Sequence, residues 1–220
     1  MILKTKLFGH VYEFKSIREV MAKANEEKSG DKLAGIAAET AEERVAAKVV
    51  LSNLTLNDLR NCPAVPYEED EVTRIIQDSV NETIFNEYKN MTVAEFREWL
   101  LDTQTTPDMI RRASRGLTSE IVAGVCNLMS NLDLIYAAKK MRVTAHCNTT
   151  IGLPGTFSSR LQPNHTTDDP NGIIASVMEG LSLGCGDAVI GLNPVDDSVE
   201  SVARILKMFD EFKRKWEVPT

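Results

Sequence analysis

Late in the chain, two short β-prone runs each give way to a polar side chain beside a proline, and this pairing limits the possible folds most. The first begins at Thr149-Thr150-Ile151, breaks at Gly152-Leu153-Pro154-Gly155, and then offers Arg160 and Gln162 ahead of Pro163. The second, Ala188-Val189-Ile190-Gly191-Leu192, ends in Asn193-Pro194-Val195. Short apolar runs of this kind are buried in parallel sheets. A helical stripe through Ile173, Ile174, Val177, Met178 and Leu181 separates them, and a second stripe through Val199, Val202, Ile205, Leu206, Phe209 and Phe212 follows. The order strand, loop, helix, strand, loop, helix is that of βαβ units. Such architectures gather reacting groups where strands end and loops begin. Arg160, Gln162 and Asn193 are therefore expected to converge on one cavity at the end of a sheet.

Their chemistry fits a small polar ligand. Arginine carries five donors in a fixed fork, and glutamine adds an acceptor and two donors, so together they can grip hydroxyl or amine groups. Arg160 is the only lysine or arginine between Arg142 and Arg204, which separates it from any general basic surface. From these residues alone, a surface ion pair with Asp187 as partner is as good a reading of Arg160 as ligand binding.

Before Met141 the texture is helical. Ser16 precedes the stripe Ile17, Val20, Met21, Ala24, and Gly30 can end that helix. Thr40 with Glu43 and Thr92 with Glu95 have capping-box spacing. Thr106-Pro107 puts proline at a first helical position, Thr118 can cap a helix through Ile121 and Val125, and Cys62-Pro63 and Val65-Pro66 break the chain between helices. Asp168 or Asp169 before Pro170, and Asp196 or Asp197, are expected to cap the two late helices. Residues 1–140 thus form a helical region and 141–220 an α/β region whose first strand is expected over 143–151.

A net charge of -7 argues against nucleic acid as a partner. No apolar run approaches the roughly 20 residues that cross a bilayer. Cys62, Cys126, Cys147 and Cys185 are scattered, as expected of free thiols in a reducing cytoplasm. A closed eight-stranded barrel takes about 250 residues, whereas 141–220 holds roughly two βα units. The chain is accordingly expected to be the front portion of a longer enzyme; a compact α+β domain is the alternative.

The segments TTIGLPGTFSSRLQPN, GCGDAVIGLNPV, DLIYAAKKM and DKLAGIAAETAEERVAAKVVLS closely resemble the large subunit of the ethanolamine ammonia-lyase family. The resemblance implies an N-terminal helical region followed by the first βα units of a (β/α)8 TIM barrel, incomplete in this chain. It also implies radical deamination of ethanolamine to acetaldehyde and ammonia with adenosylcobalamin, a small-subunit partner, self-association of large subunits, and a place in a bacterial microcompartment. Arg160, Leu161, Gln162 and Asn193 match substrate-binding positions, with Arg160 catalytic, and Pro194 lies where the corrin is expected. The family's carboxylates for the substrate ammonium lie in later strands, so this chain alone is expected to be inactive. An alternative function is a non-catalytic assembly module whose helices over Ile17 to Val50 contact other subunits.

Other residues have plainer readings. His146-Cys147 would face opposite sides of a strand and are expected to be at least partly buried structural residues rather than metal ligands. His165 is expected to be solvated, Cys185 to be packed, and Gly184-Cys185-Gly186 to form a turn. Arg111, Arg112 and Arg115 are expected on a solvated helix face.

Overall fold

The computed structural model describes residues 3–141 and 143–220. Among them the fold is a mixture of helix and sheet, with twelve helices, three two-stranded sheets and no closed barrel. The chain forms two compact units, the first running to Arg142 and the second comprising Val143–Thr220.

The first unit opens with an antiparallel hairpin of β1 (Lys4–Leu7) and β2 (His10–Glu13), in register Lys4↔Glu13 and Leu7↔His10. Opposite charges face one another across its open end. Ten helices follow: α1 (Ile17–Ala24), α2 (Ser29–Leu33), α3 (Ala41–Ser52), α4 (Leu56–Arg60) and α5 (Glu71–Ser79). The rest are α6 (Glu82–Tyr88), α7 (Val93–Leu101), α8 (Pro107–Ser114), α9 (Ser119–Asn127) and α10 (Asn131–Lys140).

Most starts are set by side-chain caps. Ser16, Thr92 and Thr106 accept from the N–H of Glu19, Glu95 and Met109, and Thr92 with Glu95 forms a complete capping box. Further boxes occur at Thr55 with Asp58 and at Ser130 with Asp133. Elsewhere the expectation is corrected. Helix α1 ends at Ala24, and Gly30 lies inside α2. Thr40 caps α3, but the Glu43 carboxylate accepts from Glu39 N and Lys23 Nζ, so the box is half-formed. Thr118 stands at the start of α9 with its hydroxyl buried and unpartnered.

Helix α1 packs on α3, burying Val20 and Ala24 with Ala46, Ala47 and Val50. These apolar residues are spent on the chain's own core, so they do not favour the assembly-module reading, although Leu33, Ile36 and Val45 of the same stretch are exposed. Arg111 and Arg112 sit on an exposed face, paired with Asp108 and Glu87. Gly116 marks a close backbone approach in the first unit: a Cβ there would lie 2.7 Å from the backbone nitrogen of Phe85. Arg115 O accepts from Asn81 N at 2.8 Å nearby, fixing that approach.

In the second unit, β3 (Ala145–His146) and β4 (Thr150–Ile151) form an antiparallel hairpin, where one strand over 143–151 was expected. The segment turns because Cys147 N donates to Thr149 O at 3.1 Å and the Asn148 side chain donates to Asp187 O and Pro219 O. The parallel pair is instead β5 (Arg160–Leu161) with β6 (Val189–Ile190), in register Arg160↔Val189 and Leu161↔Ile190. Helix α11 (Pro170–Ser182) joins them and α12 (Val199–Trp216) follows. Ile173 and Val177 of α11 meet Ile205 and Phe209 of α12, and Leu161, Ile190 and Leu192 pack against that cluster. Asp169 caps α11, and Ser198 caps α12 in place of either aspartate expected there, with Asp196 accepting from Ser198 N and Oγ.

Replacing Gly116 by alanine puts a methyl group against backbone that cannot move aside. We expect a loss of about 1–3 kcal/mol, as for overpacking generally, read from urea unfolding followed through Trp99 fluorescence.

Candidate active site

Two-residue strands hold few ladder bonds, and the bonds around β5 and β6 show what fixes their register. Ala188 N donates to Ser159 O at 3.2 Å and Gly191 N to Leu161 O at 2.8 Å. Where the strands begin, the Asp187 carboxylate accepts from Ser159 N at 2.7 Å, from the Ser159 hydroxyl, and from Thr149 Oγ1 at 3.4 Å. Ser159 Oγ in turn accepts from Gly186 N at 2.8 Å. Asp187 is thus committed to the backbone ahead of β5, which removes it as the expected partner of Arg160.

Where the strands end, Asp168 does the matching work. It is 4% exposed, adopts a left-handed φ of 52°, and accepts from Val195 N at 3.0 Å and Asp196 N at 2.8 Å. The loop after β5 is thereby tied to the loop carrying Asn193 and Pro194. Asp168 therefore clamps the two loops, while its neighbour Asp169 caps α11.

Arg160 lies within β5, not after a strand as expected, and Gln162 is the first residue after that strand. Successive side chains on a strand alternate faces, so Arg160 and Gln162 share one and Leu161 takes the other. Leu161 packs toward α11, its methyls in the space beside Gly180 and Gly186. Only its main chain is left for a ligand, and its carbonyl already accepts from Gly191. The Arg160 guanidinium lies across Gly191 of the neighbouring strand. Arg160, Gln162 and Asn193 are all exposed, and Pro194 is half-buried. Arg160 starts β5, Gln162 follows β5 and Asn193 follows β6, so the three lie along the same strand pair, and none of them lines any of the hollows found among the described residues, where one common cavity was expected. The hollows of the first unit, including an apolar one of about 320 Å³ between Trp99, Ile110, Val125 and Ala137, are lined by other residues.

The remaining candidates are corrected in detail. His146 and Cys147 are exposed, with His146 Nδ1 3.2 Å from Thr150 Oγ1. Cys185 is exposed, while Gly184 and Gly186, at φ 78° and 91°, make the expected turn around it. His165 is half-buried: its ring packs on Gly172, and Nδ1 accepts from Thr167 N at 3.3 Å. The roles of Asp168 and Asp187 escaped sequence reasoning. Gly191 was visible as a glycine inside an apolar run, which signals close approach by another group.

The second unit is thus an α/β arrangement in which Arg160, Gln162 and Asn193 lie on or just beyond two paired strands. The sequence model of the family described as "Ethanolamine ammonia lyase large subunit (EutB)" matches residues 12–220. The ethanolamine ammonia-lyase large subunits of Escherichia coli K12 and Salmonella typhimurium LT2 are each 56% identical to it over 220 residues. Those alignments cover 100% of this chain and 49% of each relative, so the chain spans about half their length. The chain belongs to the ethanolamine ammonia-lyase large-subunit family.

The two aspartate clamps give the second unit a defined response to acid. Hydrogen bonds from the Ser159 hydroxyl and N–H hold the Asp187 carboxyl below its ordinary value. The Asp196 and Val195 N–H groups do the same for Asp168. Both groups are more acidic folded than unfolded, so their stabilisation is complete above the unfolded value of about 3.9 and is lost as pH falls through the lower folded values. Hydrogen-exchange protection at Ala188 and Gly191 should fall across that range, and less steeply in Asp187→Asn than in the unsubstituted chain.

Proposed function

We propose that this chain is the substrate-holding portion of an ethanolamine ammonia-lyase large subunit, acting in the radical deamination of ethanolamine to acetaldehyde and ammonia. Residues 1–140 are its helical region, and 141–220 supply the first βα units of a (β/α)8 barrel, with β5 and β6 as neighbouring strands. The observation that carries the reading is the parallel pairing Arg160↔Val189, which brings the polar ends of both strands to one side in a member of this family.

Arg160 donates to the substrate oxygen and stabilises negative charge developing there; such donors are worth most when aimed at charge that grows in the transition state. Gln162, on the same strand face, both donates and accepts, as suits an amine that changes position during reaction. Asn193 adds a further carboxamide from the next strand end, and Leu161 contributes through its main chain. The resident cofactor of this reading is adenosylcobalamin, and the loop after β6 suits it. Exposed Val195 and half-buried Pro194 give apolar surface beside the Asn193 carboxamide, a pairing appropriate to a macrocycle edged with amide groups. When bound, adenosylcobalamin supplies the radical that begins the reaction, while the chain holds the substrate and excludes water.

The relatives' name, large subunit, implies a smaller partner, and we assign this chain the same small-subunit partner and self-association of large subunits. A bacterial microcompartment is the proposed location. The substrate ammonium is left to carboxylates outside these residues, so turnover requires the remaining length of the relatives together with the small subunit.

The test is ethanolamine deamination by the full-length large subunit of this sequence assembled with its small subunit and adenosylcobalamin. Arg160→Ala should lower kcat/KM by about 10²- to 10³-fold, the scale for losing one preorganised donor, with cobalamin binding unchanged. Unsubstituted activity in that variant would overturn the reading.

A further inference from the structure

The position of the Arg160 guanidinium is not set by an ion pair among the described residues. Asp187, the carboxylate best placed in sequence to anchor it, is taken by Ser159 and Thr149. The guanidinium instead rests over the backbone of Gly191 on β6's continuation. A Cβ at 191 would stand 2.5 Å from one terminal nitrogen of Arg160, 2.6 Å from Nε and 2.9 Å from Cζ. These separations are well inside van der Waals contact, so any side chain at 191 must share space with the guanidinium.

The two partners differ in what can yield. Gly191 is pinned, because its N–H donates to Leu161 O at 2.8 Å in the strand pairing. The Arg160 head is the far end of a long side chain and can swing away. A methyl group at 191 therefore displaces the guanidinium and leaves the sheet intact. Gly191 also lies outside the left-handed backbone region, so alanine is compatible with its local conformation.

We propose that Gly191 is a positioning residue for Arg160: its missing side chain is the seat that sets where the guanidinium presents its donors. A seat on backbone favours one position of the head without occupying its donors, and among the described residues no carboxylate pairs with it, so its five N–H donors stay available to a ligand. Displacement of a reacting group by about 1 Å can cost 10²-fold in rate, so the seat controls catalysis without touching substrate. This inference rests on the assignment of Arg160 to the substrate.

The experiment is a double-mutant cycle in the full-length large subunit assembled with its small subunit. Gly191→Ala is expected to lower kcat/KM for ethanolamine by about 10- to 100-fold while leaving adenosylcobalamin affinity unchanged. In an Arg160→Ala background the same substitution should change kcat/KM by less than about twofold, because coupled residues are non-additive. Equal losses in both backgrounds, or no loss in either, would overturn the proposal. A parallel cycle in thermal unfolding tests the seat without reference to activity and serves where Gly191→Ala folds poorly. Any drop in Tm caused by Gly191→Ala should disappear when Arg160 is also alanine, and a drop that persists would overturn the steric argument. If Arg160→Ala alone keeps full activity, the functional reading fails, and the unfolding cycle still decides whether Gly191 seats the guanidinium.

Discussion

The pairing of β5 with β6 governs everything proposed for this chain, and two residues on each side are too few to hold a register unaided. Asp187 supplies a clamp where the strands begin and Asp168 one where they end. Each is a carboxylate accepting backbone N–H groups from a neighbouring segment. Hydrogen bonds to an ionised acceptor are roughly twice as strong as neutral ones. The clamps also act at the two points where slippage would matter most. A shift of one residue would turn Arg160 and Gln162 toward α11 and push Leu161 out into solvent. Helices α11 and α12 reinforce the same choice, since Leu161 and Ile190 fill a cluster that neither Arg160 nor Gln162 could enter.

This arrangement separates the work of the strand's two faces. The Leu161 face is spent on packing, against glycines at 180 and 186 that leave room for its branched end. The Arg160 and Gln162 face carries no structural duty that would compete with a ligand. The neighbouring loop is immobilised from behind through Val195 N and Asp196 N, which leaves the Asn193 side chain exposed. Rigid support with free polar heads is what a site for a small, rotatable molecule needs, because substrate ordering then takes place against a fixed template.

Features that depend on a few adjacent residues were legible in the sequence. Ser16, Thr92 with Glu95, and Thr106-Pro107 cap where their spacing says they should, since a cap satisfies donors only two or three residues away. Runs of several capping residues were not resolved: in Asp168-Asp169-Pro170 and Asp196-Asp197-Ser198 each side chain is a competent cap, and tertiary partners decide which is used. The segment 143–151 has β character, but nothing local distinguishes one strand from a hairpin whose turn is held by Asn148 and residues 187 and 219. The same limit hid Arg160's place within a strand, because its partner Val189 lies almost thirty residues away. That Asp187 is taken by Ser159 and Thr149, and that the Arg160 head lies over Gly191, are also long-range facts. The family likeness, carried by long contiguous segments, is what turns residues that spacing alone left open into the proposed site.

A guanidinium held on an open face by backbone contact keeps its whole positive charge facing outward. Ethanolamine near neutral pH carries a cationic nitrogen at one end and an uncharged oxygen at the other. On the proposed reading, Arg160 would repel the first and attract the second, giving the molecule a preferred direction of approach before any other group touches it. Polarity of approach would thus follow from the choice of glycine at 191, which seats the charge without neutralising it.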